Sequence, residues 1–377
     1  MPAASSGEFG ADNLLQGNAR YQKIRDLNKG AFGFVVLALD RQTGEQVALK
    51  FIERGPENIT KYVEREIINH MKLRHPHIIA LREVFLTPTH LVLSMEYAAG
   101  GDLFRFVASR RGLSEPEARW FFQQLIIAVD YCHRMGVTSR DIKMENALLD
   151  GSDRPLIKLA DFGFSKDSNA HSAPTSRVGT PAYLAPEVVS NQPGRVYDGQ
   201  KADIWSCGVL LYAMVTDCYP FSRIGDNFLK PNQKLNAMLQ RILRADYTFP
   251  DGKQLSEKIR DLISRMLVLD PSLRCSLKDI MTHPWFLEGL NSGALQFNDS
   301  IVEESKANQP PAEVLDEVRQ IVQQASTEEQ PGGDISWLAS GKDAEPAADP
   351  GGAGAGSSLD DLVRTAAEEA DSWDWDR

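Results

Sequence analysis

The feature that most restricts the fold is a change of hydrophobic period early in the chain. Apolar residues recur at every second position around Val35, Leu37 and Leu39, then again at Val47, Leu49 and Phe51. Alternation of that kind belongs to strands. The "DRQTGE" between the two runs reads as a turn, with Gly44 at its positive-φ position. "ITKYVEREIINHMKLR" then switches to helical spacing, with Val63, Ile67 and Met71 on one face. "HLVLSMEYA" reads as a buried strand. From Asp102 to Met135 the pattern is helical, strongest in "ARWFFQQLIIAVDYCHRMG", with Gly136 as the C-terminal cap. Helices dominate again from Lys201 to "HPWFLEGL". The predicted class is α+β, with a small β-rich lobe followed by a larger helical one.

The chain has 377 residues, which suits two lobes and an extension. Its net charge of −11 is unevenly placed. Residues 301–377 hold 18 acidic and 5 basic side chains, whereas residues 1–300 hold 34 and 36. The acidity therefore belongs to the tail, which argues against nucleic-acid binding and for a solvating role or a basic partner. No apolar run approaches the roughly 18 residues of a membrane span, so no membrane partner is expected. The N-terminus has neither a secretory pattern nor a glycine after the first Met. Cys132, Cys207, Cys218 and Cys275 form no CxxC pair and read as reduced thiols of a cytoplasmic or nuclear protein.

Past residue 290 the chain changes character. "PPAEVLDEVRQIVQQAS" places Val314, Leu315, Val318, Ile321 and Val322 on one stripe, behind a Pro311 that suits a helix start. Such a helix needs a surface to cover that stripe. Residues 340–357 are rich in Gly, Ala, Pro, Asp and Ser and read as a flexible linker. "SSLDDLVRTAAEEADSWDWDR" mixes acids with Leu359, Leu362, Val363, Trp373 and Trp375, and reads as a solvated tail or a motif that folds on a partner.

The chemistry points to phosphoryl transfer. Leu27, Asn28, Lys29, Gly30, Ala31, Phe32, Gly33, Phe34 and Val35 form a small-residue turn between strands, where backbone N–H groups can approach an anion. Lys50, in "VALK", lies on the following strand, and Glu66 on the next helix is its natural counter-charge. One loop, "GVTSRDIKMENALLD", carries Asp141, Lys143 and Asn146, and "LADFGFS" carries Asp161. Phosphoryl transfer needs positioning, charge neutralisation and metal. Asp141 can accept the proton of an attacking hydroxyl. Lys143 can neutralise the moving phosphoryl group. Asn146 and Asp161 offer hard oxygen ligands suited to Mg²⁺.

These motifs, with "APE" at Ala185–Glu187, "DIWSCG" at Asp203–Gly208 and "DPSLR" ending in Arg274, stand in the order of the protein kinase signature set. From Tyr21 to Leu287 the chain resembles eukaryotic Ser/Thr protein kinases. Within them "EREIINHMKLRHPHII", "MEYAAGGDLF", "CHRMGV", "HSAPTSRVGTPAYLAPEV", "YDGQKADIWSCGVLLY" and "LISRMLVLDPSLR" resemble the plant and algal sucrose-non-fermenting-related kinases, second subfamily. The resemblance implies a bilobal kinase domain over 21–287, with an N-lobe at 21–98 and a C-lobe at 99–287. It leaves a flexible N-terminus at 1–20, a linker at 288–309, a regulatory helix at 310–327 against the Glu66 helix, and an acidic tail at 328–377. It further implies that Glu187 pairs with Arg274 and that Asp203 braces the catalytic loop. ATP would bind between Val35, Ala48 and Leu148, beside the gatekeeper Met95, with Glu96 and Ala98 holding the adenine edge. Asp102 and Glu145 fall where related kinases hold a basic residue ahead of the phosphorylated Ser or Thr. The acidic tail resembles a region that binds a regulatory phosphatase in some members.

Ser176, three residues before Gly179, is the expected activating phosphosite, with Ser172 and Thr175 as secondary candidates. Its phosphate would meet Arg140 and Lys166, the pocket for a charge of about −1.5 to −2. Two residues depart from the family pattern. Asn28 replaces the first loop glycine and is expected to tolerate a positive φ. Ser139 replaces the His that packs under the DFG Phe, here Phe162. A loss of that size is expected to cost on the order of 1–3 kcal/mol locally. The competing reading is a pseudokinase scaffold that binds through the C-terminal helix and tail. The intact Lys50, Glu66, Asp141, Asn146 and Asp161 speak against it.

Overall fold

The computed structural model describes residues 15, 18–30, 33–161, 166–167, 181–190 and 196–327. Five strands, β1 (Tyr21–Gly30), β2 (Gly33–Asp40), β3 (Gln46–Glu53), β4 (Leu81–Leu86) and β5 (His90–Glu96), form an antiparallel sheet in the order β1-β2-β3-β5-β4, with helix α1 (Lys61–Met71) between β3 and β4. Thr60 caps α1 by accepting from the Tyr62 N–H.

The register sorts the two apolar runs differently from the simple alternation. Val35 pairs with Lys50, and Ala48 pairs with Leu37 and Met95, so these five side chains share one face. Val36, Ala38, Val47, Leu49 and Phe51 share the other and are essentially fully buried. Both faces are apolar because both are covered, one by its own core and one by α1 and the interlobe cleft. Lys50 sits on the face where that cover gives way to the cleft. Gly33 allows the β2 start to press on β3, since a Cβ there would lie 1.9 Å from the Phe51 carbonyl oxygen.

The larger lobe follows as α2 (Leu103–Arg110), α3 (Glu115–Arg134), β6 (Val137–Thr138), β7 (Ala147–Leu149), β8 (Ile157–Leu159), β9 (Lys166–Asp167), α4 (Pro186–Val189), α5 (Gly199–Thr216), α6 (Pro231–Ile242), α7 (Glu257–Met266), α8 (Leu277–Met281) and α9 (Pro284–Leu287). Its axis is α5, apolar all round and buried from Ala202 to Thr216, as a helix enclosed on every side must be. Gly136, at φ 78°, ends the helical run of α3.

The C-terminal extension departs from expectation. Residues 288–309, expected as a linker, contain a helix, α10 (Phe297–Ala307). It is pinned to α3 by polar bonds that a linker reading of its composition does not reveal. Buried Asn298 donates to the Ile127 carbonyl and the Asp130 carboxylate, both at 2.8 Å, and lies 3.1 Å from His75 Nε2. The Tyr131 hydroxyl donates to Ser305 Oγ at 2.8 Å. A further helix, α11 (Ala312–Ser326), lies on α1, β4 and β5 and buries Val318, Val322 and Ala325 beside Ile67 and Leu91. Val314, expected on this stripe, is exposed because the helix turns it past the edge of the contact. The Ala325 carbonyl accepts from the Gly55 N–H at 2.9 Å, and the Gln324 carbonyl from Arg54 at 2.9 Å, which fixes the end of α11. Among the described residues no helix is long and apolar enough to cross a membrane.

Candidate active site

The catalytic loop is shaped by one buried carboxylate. Asp203, on α5, accepts from the backbone N–H of Ser139 at 3.0 Å and of Arg140 at 2.8 Å, and lies 2.8 Å from His133 Nε2. Two amides on one carboxylate force a tight bend, and Arg140 takes the left-handed conformation at φ 64°. The bend turns Asp141 inward, where it is 5 % exposed.

Around Asp141 two of the expected residues converge. Lys143 Nζ lies 2.9 Å from its Oδ2, and Asn146 Nδ2 donates to its Oδ2 at 2.9 Å and to its backbone oxygen at 3.0 Å. Burial pushes the Asp141 carboxyl above the usual range, and the Lys143 ammonium pulls it back. Because the Asn146 amide nitrogen is committed to Asp141, its Oδ1 is the atom left to face a cation. The Asn146 carbonyl accepts from the Ala160 N–H at 2.8 Å, which sets Asp161 beside the loop. Asp161 holds φ 60° and projects an exposed carboxylate.

The smaller lobe meets this loop through Lys50. Its ammonium lies 3.3 Å from Glu66 Oε1 and 3.4 Å from Asp161 Oδ1. Burial acts against the Lys50 charge, but Asp161 and Glu66 outweigh it and hold the ammonium above its usual range. Burial raises the Glu66 carboxyl, with Lys50 opposing. A carboxylate and an amide oxygen suit a hard divalent cation that takes its remaining ligands from phosphates and water. Among the described residues no cluster of three His, Cys, Asp or Glu gathers into an all-protein metal site.

The nucleotide side is brought together as the register requires. Val35 and Ala48 are half-buried on the Lys50 face with Met95, Ala98 closes the far end at 9 % exposure, and half-buried Leu148 rises from β7. Glu96 is held by Lys158 at 2.6 Å and by the Ala80 N–H on its side chain at 3.2 Å. Leu27 is half-buried in β1. Asn28 lies in β1 opposite Val35, next to a bulge, and does not take a positive φ. The strand absorbs the missing glycine by irregular pairing, not by a left-handed residue. For Lys29 and Gly30 the backbone pairing alone is described, and Ala31 and Phe32 lie outside the described residues.

On the acceptor side Asp102 caps α2, accepting from the Arg105 N–H at 2.8 Å, so part of its carboxylate is already used. Glu145 differs. Its Oε2 is buried and has no hydrogen-bond partner among the described residues, and burial raises its carboxyl. Ser176, Ser172, Thr175 and Phe162 lie outside the described residues, and Lys166 is described through its backbone pairing with Thr138. Arg140 directs Nε and Nη2 to the Tyr197 hydroxyl at 3.0 and 2.7 Å. Tyr197 and His133 were not singled out from the sequence, though each stands in a stretch that carries the family likeness. Their polar atoms were the available signal, since buried polar atoms need partners. Ser139 is 2 % exposed, and its Oγ has no partner among the described residues.

The comparisons agree with this geometry. The family model described as protein kinase domain matches residues 21–286. "Serine/threonine-protein kinase SRK2E" of Arabidopsis thaliana is 46 % identical over 315 residues, covering 83 % of this chain and 84 % of that protein. "Serine/threonine-protein kinase SRK2A" of Physcomitrium patens is 47 % identical over 308 residues, covering 81 % and 85 %. "Serine/threonine-protein kinase SAPK3" of Oryza sativa subsp. indica is 46 % identical over 308 residues, covering 81 % and 89 %. The chain belongs to the protein kinase family, among the serine/threonine kinases of the plant sucrose-non-fermenting-related second subfamily.

Proposed function

We propose that this Ser/Thr kinase transfers the γ-phosphoryl of ATP to protein hydroxyls through Asp141, Lys143, Asn146, Lys50 and Asp161. The observation that carries this is the convergence of Lys143 and Asn146 on Asp141 at 2.9 Å each, with Asp161 tied to the same loop. Asp141 accepts the proton of the attacking hydroxyl, its raised carboxyl suiting it to hold that proton. Lys143 offsets charge on the phosphoryl group as it moves. Lys50, oriented by Glu66, takes the nucleotide phosphates. Asn146 Oδ1 and Asp161 would hold Mg²⁺, which supplies charge neutralisation when bound. Orphaned Glu145 supports a basic residue ahead of the acceptor, with Asp102 beside it.

In this reading Ser176 is the activating phosphosite, with Ser172 and Thr175 secondary, and Arg140 and Lys166 receive its phosphate. One contact of the Arg140 guanidinium is with the neutral Tyr197 hydroxyl at 2.7 Å, a weaker acceptor than a phosphate would be. A role in stress signalling, a cytoplasmic or nuclear location, and control by an upstream kinase and a phosphatase follow from the subfamily likeness. The test is incorporation of radiolabelled phosphate into generic Ser/Thr substrates, with Asp141→Asn as control. Equal incorporation by both proteins favours a scaffold. Near-wild-type peptide turnover by Ser176→Ala protein removes the regulatory part.

A further inference from the structure

Between α5 and α6 a short turn shows an apolar surface that the catalytic reading leaves unused. Ile224 is 89 % exposed, Phe228 90 % and Leu229 39 %. Large apolar side chains this exposed, gathered within six residues, mark a contact surface. The turn is held in that pose. Asp226, at its centre, is 3 % exposed, accepts from Arg241 at 2.6 and 2.7 Å, and accepts from the Arg223 N–H at 2.8 Å. With Asp226 locked inward, Ile224 and Phe228 on either side must point outward. The surroundings keep a basic excess: of the cations in residues 223–246, Arg241 is taken by Asp226 and Arg223 meets Asp246 at 3.3 Å, which leaves Lys230, Lys234 and Arg244 in excess of the acids of that stretch.

We propose that residues 358–377 of the same chain dock on this surface. That segment has the complementary composition, with seven acidic and two basic residues, Trp373 and Trp375, and Leu359, Leu362 and Val363 at helical spacing. Its tether is long enough. Thirty residues separate Thr327 from Ser358, a contour of about 100 Å. The folded body, by its length, is about 50 Å across. Tethering raises the local concentration of the segment to the millimolar range, so a weak apolar and electrostatic contact suffices.

The test uses the full chain. Amide hydrogen exchange is measured over residues 223–235 in the wild type and in Trp373→Ala/Trp375→Ala protein, whose changes lie outside the folded body. Carbodiimide cross-linking then maps acids of the tail to Lys230 and Lys234, in a mixture of heavy- and light-isotope chains. The expected result is exchange about tenfold faster in the variant, matching a mostly docked tail. Same-isotope cross-links that vanish in Ile224→Asp/Phe228→Asp protein and weaken at 0.5 M salt (roughly a 4 Å screening length) complete it. Identical exchange in both proteins overturns the proposal, as does an absence of tail cross-links to these lysines. Mixed-isotope cross-links overturn it in favour of a second copy.

Discussion

Arg274 and Glu187 are joined by bonds of 2.7 and 2.9 Å, whereas Lys50 meets Glu66 at 3.3 Å and Asp161 at 3.4 Å. Both pairs tie segments far apart in the chain, yet they are built differently. The Arg274 side chain is fully buried; its remaining donors reach the Val268 and Lys201 carbonyls, and its plane lies over Trp205. Every N–H of the fork has an acceptor, so the pair has one geometry. The Lys50 ammonium is a point charge shared between two carboxylates at long range, with 22 % of its side chain exposed. The first pair is a fixed clamp of the larger lobe. The second is longer and partly open to solvent, which fits the phosphate-binding role proposed for Lys50.

Breaking each pair separates the two kinds. Arg274→Ala leaves Glu187 without its partner and should cost about 3–5 kcal/mol, seen as a large drop in the urea midpoint and loss of soluble protein on warming. Lys50→Met should instead change stability by only about 1 kcal/mol, because the Glu66 carboxyl, which burial already raises, can take up a proton once the ammonium is gone. Its phosphoryl-transfer rate should nonetheless fall by about 10²–10³. A collapse of stability in that variant would make Lys50 a structural residue like Arg274.

The comparison sharpens through α11, which touches α1 and not the clamp. Val318→Glu with Val322→Glu buries two charges against Ile67 and should release α11, at about 2–3 kcal/mol. Activity should fall roughly tenfold as Glu66 loses its fixed seat, while peptide KM changes little; unchanged kcat would uncouple α11 from the Lys50 pair. Ser139→His should add up to about 1–3 kcal/mol of local stability, read as a higher melting temperature, by replacing a buried hydroxyl that has no partner among the described residues with the larger side chain of the family pattern. No gain in stability or activity would leave Ser139 without a role.

A last effect, seen only on acidification, concerns the neutral histidines His70 and His75. Burial lowers His70 to about 4 and His75 to about 3, against an ordinary value near 6.5. The unfolded chain therefore takes up protons that the folded one refuses, and stability present above pH 6.5 is lost as pH falls from there toward 4. Thermal melts between pH 7 and 4.5 should show this decline, with a shallower slope in His75→Gln protein.

Much of the site was legible because its chemistry is carried by residue types at fixed spacing. Asp141, Lys143 and Asn146 lie within six positions, and loop geometry alone brings them together. The pairing of Lys50 with Glu66 was legible through the strand and helix that carry them. What stayed hidden was set by tertiary register. Val35 and Val47 each belong to an alternating run, but only cross-strand pairing shows that they face opposite ways. Helix α10 was read as a linker because its anchors are Asn298 and Ser305, polar residues whose burial depends on partners more than 160 positions away. Asn28 was expected to tolerate a positive φ, a tolerance that the irregular pairing of β1 leaves unused.

The docking of α11 also sets an order in time. The cover over Ile67 is supplied by Val318, Val322 and Ala325, more than 250 positions after that residue. On a ribosome adding about 5–20 residues each second, the loop bearing Asp141 emerges many seconds before that cover does. A nascent chain therefore passes through a stage in which the phosphate-handling groups exist but the helix orienting Lys50 has no backing. Full competence to transfer phosphate would then arrive late in synthesis, and a chain cut short of α11 would keep its catalytic residues while losing the backing of the helix that bears Glu66.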